Sequence, residues 1–171
     1  MADKGPGSVE PSADVAPALR PWDARDLPLL ERASEDAYLA LVERLPVPFD
    51  ADQAREWLAG RTQTEWAVVA GDEAVGGTGY ATRHVPGLAD VGYWIVSERR
   101  GKGLATAAVE LLVERAFAAG VERLQATVEP WNVASQRVLE KAGFAREGLL
   151  RAYTRYADEA RRDVYLYARL A

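Results

Sequence analysis

The sequence predicts a single α+β domain, with a mixed, mostly antiparallel central sheet flanked by helices. Three observations support this fold class. Residues 65–82 form a hairpin pattern, in which Gly71 and Asp72 separate two β-patterned segments. Residues 89–129 form a strand–helix–strand pattern, and residues 144–170 contain a closing pair of strands. Hairpins combined with strand–helix–strand units are typical of a mixed sheet and not of a doubly wound parallel one.

The N-terminal part of the domain is expected to contain one short strand and then helices. Residues 18–22 are patterned as the strand. Asp23 and Asp26 are candidate N-caps for the helix that follows, because a carboxylate can accept the free N–H groups of a first turn. Pro46 ends a later helix and Gly60 ends another. The helices are expected at residues 27–33, 37–45 and 50–59.

The C-terminal half alternates strands and helices around an apolar strand at residues 89–96. This strand is apolar on both faces, which predicts a central position in the sheet. The clearest helix is residues 103–119, where Thr106, Glu110 and Glu114 recur every four residues as one polar stripe. The remaining elements are expected as a strand at residues 122–129, a helix at 132–142 and strands at 144–153 and 164–170.

Composition excludes several classes of protein. The chain has 171 residues, which suits one domain of ordinary size. It has no cysteine, so disulfides, thiolate metal sites and cysteine nucleophiles are excluded. Its single histidine, His84, leaves no local pair for a zinc site, and no metal is expected. The net charge of −5 argues against nucleic acid as a partner.

The first residues differ in composition from the rest of the chain. Residues 1–17 are rich in Gly, Pro, Ser, Ala and Asp, which predicts a disordered tail before a domain at residues 18–171. This segment lacks the apolar core of a signal peptide, and no apolar run approaches the ~20 residues that span a bilayer. We therefore expect a cytoplasmic protein with no membrane partner, as a monomer or a homodimer.

The segment at residues 97–105 has the features of an anion site. It follows a strand and opens a helix, whose first N–H groups and partial positive charge attract phosphate. Gly101 and Gly103 allow a sharp turn, and Arg99, Arg100 and Lys102 add three positive charges. A Walker A loop is excluded because Lys102 is followed by glycine, and a dinucleotide fingerprint lacks its third glycine. The alternative is a tight turn without a ligand.

Two motifs in this half resemble those of the GCN5-related N-acetyltransferase (GNAT) family. Arg100, Gly103 and Ala105 match the signature Gln/Arg-x-x-Gly-x-Gly/Ala. Residues 128–144 contain Asn-x-x-Ser followed by Lys-x-Gly-Phe, which matches a second signature about 30 residues later. Within the family, the chain is most similar to the RimJ/RimL-like branch, which acetylates the N-termini of ribosomal proteins.

The resemblance implies a site for acetyl-CoA. Backbone amides near Gly103 would hold the pyrophosphate, and the strand before it would pair with the pantetheine arm. The amide of Val96 would polarise the thioester carbonyl as an oxyanion donor. The residues that the resemblance assigns to acetyl-CoA are Trp94, Ile95, Val96, Arg99, Arg100, Gly101, Lys102, Gly103, Leu104, Ala105, Thr106, Asn132 and Ser135.

The resemblance also implies catalytic roles for Asn132, Ser135 and Glu129. Asn132 would place the acetyl group, although it is also a natural helix N-cap. Ser135 would protonate the departing thiolate, because Leu139 stands where many relatives carry a tyrosine acid. Thr127 stands where some relatives carry a glutamate base; Glu129 lies two residues on, on the same strand face, and is a candidate substitute or a solvated charge. His84, Asp90, Tyr93 and Trp131 are further candidates.

The acceptor is expected to be a primary amine, attacked directly in a ternary complex. At pH 7, deprotonation costs about 1.0–1.4 kcal/mol for an α-amine and about 4.6 kcal/mol for a lysine. A weak base therefore suffices for a protein or peptide N-terminus, which is the first expectation. The alternatives are a small amine, such as an antibiotic or metabolite, and a non-catalytic acyl-CoA sensor. Acceptor choice is expected to lie in residues 30–60 and in a loop at residues 151–162.

Overall fold

The computed structural model describes residues 16–155 and 160–171, which form one layered α/β unit. A 3-10 turn at Ala24–Asp26 precedes the first helix, and another at Ser97–Arg99 precedes the fourth. The strands are β1 (Ala18–Pro21), β2 (Glu65–Ala70), β3 (Glu73–Thr82), β4 (Leu88–Ile95), β5 (Arg123–Val128), β6 (Ala145–Arg155) and β7 (Arg161–Leu170). The helices are α1 (Leu27–Ser34), α2 (Ala37–Glu43), α3 (Ala51–Ala59), α4 (Leu104–Ala118) and α5 (Val133–Lys141).

The seven strands form one sheet in the order β1-β2-β3-β4-β5-β7-β6. Among the strand pairs of residues 16–155 and 160–171, only β4–β5 is parallel, and the others are antiparallel. The predicted fold class is confirmed, and β4 holds the central position that its apolar sequence indicated.

The sheet opens between its two central strands. The parallel pairing of β4 and β5 covers only three positions and ends at Asp90 and Gln125. Beyond this point β4 stays paired with β3 as far as Ile95, and β5 stays paired with β7 as far as Val128. The facing edges of β4 and β5 therefore diverge around a gap, which is bounded by backbone groups without strand partners.

Helices cover the two faces of the sheet with separate cores. Leu124, Ala126 and Val128 of β5 pack with α4 and α5 in one core. Trp94 of β4 packs with the helices α1, α2 and α3 in the other. Because side chains alternate across a strand, the neighbouring residue Tyr93 faces the α4 and α5 side. Successive side chains of β4 at the gap therefore lie on opposite faces of the sheet.

The aspartates of the N-terminal part have different roles. Asp36 and Asp50 accept the first N–H groups of α2 and α3, as N-caps do. Asp23 caps the 3-10 turn, but the expectation that Asp26 caps α1 is wrong, since it makes no side-chain cap there. Asp26 is fully buried and pairs with Arg20 at 2.6 Å, because that guanidinium offers a stronger bond than a free amide.

The C-terminal strands are longer than the sequence pattern indicated. β6 continues to Arg155 and β7 begins at Arg161, so most of the loop expected at residues 151–162 is strand. Residues 156–159 and the first 15 residues of the expected tail lie outside the described ranges. Among the helices of residues 16–155 and 160–171, none is long and apolar enough to cross a membrane.

Candidate functional site

The loop before α4 presents an open, glycine-lined surface. Gly101 and Gly103 both have a φ of 77°, a left-handed conformation that favours glycine. A Cβ at either position would meet no other atom within 4 Å. No side chain caps α4, and its first three N–H groups, from Leu104 to Thr106, have no carbonyl one turn earlier. The loop can therefore direct several free N–H groups at an anion.

The three positive charges of this segment do not act together, contrary to the expectation from sequence. Arg99 pairs with Glu73 at 2.7 Å. Arg100 pairs with Asp36 at 2.8 Å and donates its Nε to the carbonyl of Ile95. Lys102 is exposed and makes no ion pair within the described residues. The loop thus offers an anion its backbone amides and the charge of Lys102, while the two arginines fix the loop to the sheet and to α2.

The backbone of β4 presents alternate N–H groups to the gap. The amide of Val96 donates to the carbonyl of Val75 on β3 at 3.0 Å, so the expectation that it is a free oxyanion donor is wrong. Because donors alternate along an antiparallel strand, the N–H of Trp94 also faces β3, and those of Tyr93 and Ile95 face the gap. These two amides are donors that β4 presents to the gap.

Ser135 lies beside the gap, in the first turn of α5. Its hydroxyl lies 2.7 Å from the phenol oxygen of Tyr93, which also donates to the Ser135 carbonyl at 3.0 Å. The Oδ1 atom of Asn132 accepts the N–H of Ser135 at 3.1 Å, so Asn132 is an N-cap. Its amide nitrogen keeps both donors free within the described residues. The geometry brings Asn132, Ser135 and Tyr93 together.

Glu129 directly follows β5 and is almost fully buried, at 2% exposure. Its Oε1 lies 3.2 Å from Nε of Arg162, yet neither carboxylate oxygen accepts a hydrogen bond within the described residues. The expected alternative of a solvated charge is therefore wrong. By strand alternation Glu129 shares a face with Thr127 and Gln125, which is the face of α1, α2 and α3. Leu139, by contrast, is fully buried in the α4 and α5 core.

A cavity of about 560 Å³ opens on this same face. β4 contributes Asp90, Gly92 and Trp94 to its lining, so the cavity borders the gap. Glu43, at the end of α2, is also part of the wall. Sequence reasoning missed Glu43, because a single glutamate at the end of a helix has no spacing that marks it.

The remaining candidates from the sequence are Asp90, His84 and Trp131. Asp90 pairs with Arg83 and accepts a hydrogen bond from Gln125. His84 is exposed in the turn after β3. Trp131 is 62% exposed and packs edge-on against Tyr38 at 5.0 Å. Within the described part of the chain, no group of three or more metal-ligating side chains comes together.

Comparison with known proteins identifies the family. Residues 18–145 match the acetyltransferase (GNAT) domain family, so the chain belongs to the GNAT acetyltransferases. The fold also resembles RimJ of Mycobacterium smegmatis in complex with CoA-disulfide, with a TM-score of 0.77 and 30% identity, over 91% of this chain and 82% of that one. It resembles RimL in complex with coenzyme A with a TM-score of 0.75 and 18% identity, over 94% and 97% of the two chains.

Curated relatives agree with this family over shorter segments. A probable N-acetyltransferase of Bacillus subtilis, YjcK, is 47% identical over 62 residues, which are 36% of this chain and 34% of that protein. An uncharacterized N-acetyltransferase of Bacillus licheniformis, p20, is 36% identical over 101 residues, which are 58% and 56% of the two. The chain therefore spans about a third to a half of these relatives, and it is an N-acetyltransferase domain of the GNAT type.

Proposed function

We propose that this protein transfers the acetyl group of acetyl-CoA to the amine of a protein or peptide N-terminus. One observation carries the proposal: the glycine loop that can hold a pyrophosphate follows β4, and the Ser135 hydroxyl lies 2.7 Å from the hydroxyl of Tyr93 on that same strand. The likeness to RimJ and RimL supports the choice of acceptor, since RimL is named as an α-N-protein acetyltransferase of ribosomal L7/L12.

The residues of the gap fit acetyl-CoA. The free N–H groups from Gly101 to Thr106 suit the pyrophosphate, and Lys102 adds charge. The unpaired amides of Tyr93 and Ile95 suit the amide groups of a pantetheine arm, which would satisfy them as a strand partner would. The free amide nitrogen of Asn132 is placed to donate to the same arm.

In the proposed reaction, one backbone amide and the Ser135 side chain assist the transfer of the acetyl group. Acetyl-CoA supplies the acyl group as a thioester. A gap-facing amide, from Tyr93 or Ile95, stabilises the charge that develops on the thioester oxygen. The amine nitrogen forms a bond to the carbonyl carbon, the carbon–sulfur bond breaks, and Ser135 gives a proton to the departing sulfur.

Glu129 is our candidate for the base that takes the proton from the amine. It lies on the same sheet face as the cavity, and its buried oxygens accept no hydrogen bond within the described residues. An ammonium group would supply the missing donors. Arg162, at 3.2 Å, forms an ion pair with this carboxylate.

A small amine is the second candidate acceptor. The cavity of about 560 Å³ lies within the range of ~300–1,000 Å³ that small-molecule sites occupy. A Pseudomonas aeruginosa relative, 27% identical over 109 residues, is named an acetyltransferase of L-methionine sulfoximine and L-methionine sulfone. Those 109 residues are 59% of this chain and 63% of that protein.

The test is release of CoA thiol from acetyl-CoA, with the acetylated product identified by mass spectrometry. The acceptors are short peptides beginning with Ser, Ala, Thr or Met, several aminoglycosides, polyamines and free amino acids. Turnover with the peptides supports the proposal, and turnover confined to the small amines supports the second candidate. Tight acetyl-CoA binding without turnover on any of these, or on folded ribosomal proteins, would instead indicate a non-catalytic sensor.

A further inference from the structure

The cavity beside the gap has a floor of glycines. Gly77 and Gly79 of β3 lie opposite Trp94 and Gly92 of β4, and all four residues line the cavity. A Cβ at Gly92 would meet nothing within 4 Å, so the floor at this point is open space. A Cβ at Gly77 would lie 2.7 Å from the Trp22 ring, so this ring packs directly against the β3 backbone. The glycines bring the backbone of two strands to the cavity surface.

Aromatic rings form the walls. Trp22 stacks on Trp94 at a ring distance of 6.0 Å and packs edge-on against Trp57 at 5.3 Å. The guanidinium of Arg61 lies 3.9 Å above the ring of Trp57, so one of these rings already holds a positive charge. Aromatic faces attract cations, by about 0.5–1 kcal/mol at exposed sites and about 2 kcal/mol when water is excluded.

Of the three carboxylates that line the cavity, two form ion pairs and one has none within the described residues. Glu65 pairs with Arg61 at 2.7 Å, and Asp90 pairs with Arg83. Glu43 has no side-chain hydrogen bond or ion pair within the described residues. Burial raises the pKa of Glu43 to about 7, with Arg61 opposing the rise and Glu65 adding to it. Glu43 is partly buried. A carboxylate that is withdrawn from water without a partner is costly, and a cation would supply one.

We propose that the cavity receives a positively charged group of the acceptor, which Glu43 binds against the tryptophan walls. The proposal rests on the proposed acetyl transfer and names the substrate class: a primary amine that carries a second cation, such as a lysine side chain after the N-terminal residue or the distant amine of a polyamine. The aromatic walls alone would also bind a neutral group. The unpaired carboxylate of Glu43 is the feature that favours a cation.

A binding experiment tests this without requiring turnover. The probes are Ala-Lys amide and Ala-norleucine amide, which match in length and differ in the side-chain charge. Calorimetry with the wild-type protein saturated with CoA, at pH 8, is expected to give at least 10-fold tighter binding of the lysine probe. Glu43→Gln is expected to remove that preference and leave CoA affinity unchanged.

Glu56→Gln is the matched control, because Glu56 is an exposed residue of α3 outside the cavity lining. It removes the same charge and should keep the preference. Equal binding of the two probes by the wild type, no binding of either, or a preference that persists in Glu43→Gln would each overturn the proposal.

Turnover separates this proposal from the one on which it rests. With acetyl-CoA, Glu43→Gln should raise KM for Ala-Lys amide about 10-fold and change kcat less than 3-fold. A fall in kcat at constant KM would make Glu43 a base and would also overturn the proposal. If the wild type prefers the lysine probe in binding but acetylates neither probe nor any other amine, the cavity assignment stands and acetyl transfer fails.

Discussion

The hydroxyl groups of Tyr93 and Ser135 lie 2.7 Å apart and join β4 to α5 beside the gap. Burial raises the pKa of Tyr93 to about 12, against the opposing effect of the Ser135 hydrogen bond, so the phenol stays neutral. The phenol donates to the Ser135 carbonyl at 3.0 Å and lies 2.7 Å from the Ser135 hydroxyl, so it holds that hydroxyl beside β4. Tyr93 is therefore a positioning residue for Ser135.

Removing the Ser135 hydroxyl tests its role as the acid. Ser135→Ala is expected to lower kcat by about 10²-fold, because general acid catalysis contributes at least this much. The affinity for acetyl-CoA should change little. Steady-state kinetics and calorimetry measure the two effects, and an unchanged kcat would remove Ser135 from the mechanism.

Removing the Tyr93 hydroxyl, which positions Ser135, should lower kcat less than removing the Ser135 hydroxyl does. Tyr93→Phe keeps the ring in the α4 and α5 core and removes only the hydroxyl. We expect kcat to fall by less than in Ser135→Ala, with KM for acetyl-CoA and Tm unchanged. The double variant should be no slower than Ser135→Ala alone, since both changes act on one hydroxyl. Additive losses would show that Tyr93 acts independently.

A negative side chain in the glycine loop should abolish acetyl-CoA binding. Gly103→Glu places a carboxylate where the pyrophosphate is expected, at a φ of 77°. Gly71→Glu is the control, because Gly71 has a φ of 66° in the β2–β3 turn and also has open space around it. Calorimetry should show lost binding in the first variant and normal binding in the second. Normal binding by Gly103→Glu would refute the placement of the site.

The buried carboxyl of Glu43 should make stability depend on pH. Its pKa rises from 4.5 to about 7, so the folded state binds its proton more tightly than the unfolded state does. The resulting stabilisation is complete below about pH 4.5 and is lost as the pH rises through 7. Relative to the wild type, the free energy of unfolding of Glu43→Gln should therefore be higher at pH 8 than at pH 5.

Urea unfolding at the two pH values measures this difference, and Glu56→Gln should show no such change. Arg61 and Glu65 face Glu43 in both the wild type and the variant, so their own contributions cancel in the comparison. A pH-independent difference between Glu43→Gln and the wild type would contradict the partly buried, unpaired state of this carboxyl.

The Arg20–Asp26 pair should be important for folding. Asp26 is fully buried and also accepts the N–H of Asp23 at 3.0 Å. Its loss leaves the partly buried Arg20 guanidinium with only a 3.4 Å contact to Asp23 and a hydrogen bond to the Pro21 carbonyl. Asp26→Ala should lower the free energy of unfolding by about 3 kcal/mol. Asp52→Ala, which breaks an exposed pair with Arg55, should cost less than about 1 kcal/mol. Equal losses would contradict this account.

The sequence predicted those features that depend on local chemistry. Gly101 and Gly103 were identified because their left-handed backbone favours glycine, and β4 was placed centrally because both of its faces are apolar. The resemblance of residues 128–144 to a GNAT signature implied the roles of Ser135 and Asn132. Each of these features depends on residues that are close together along the chain.

Features that depend on distant contacts were missed or misplaced. Arg99 and Arg100 were expected to act on a phosphate, but their carboxylate partners lie 26 and 64 residues away along the chain. The amide of Val96 is occupied because of the β3–β4 register, which no local pattern reveals. Glu43 is partly buried at a position where Trp57, 14 residues away, donates to its carbonyl, and Arg61 and Glu65 are its charged neighbours.

The most direct test of the account is amide hydrogen exchange, resolved by residue along β4, with and without saturating acetyl-CoA. The N–H groups of Tyr93 and Ile95 face the gap and should exchange at least 10-fold more slowly in the complex. Those of Trp94 and Val96 already donate to β3 and should change little. Unchanged exchange at Tyr93 and Ile95, or equal slowing at all four positions, would contradict acetyl-CoA binding between β4 and β5.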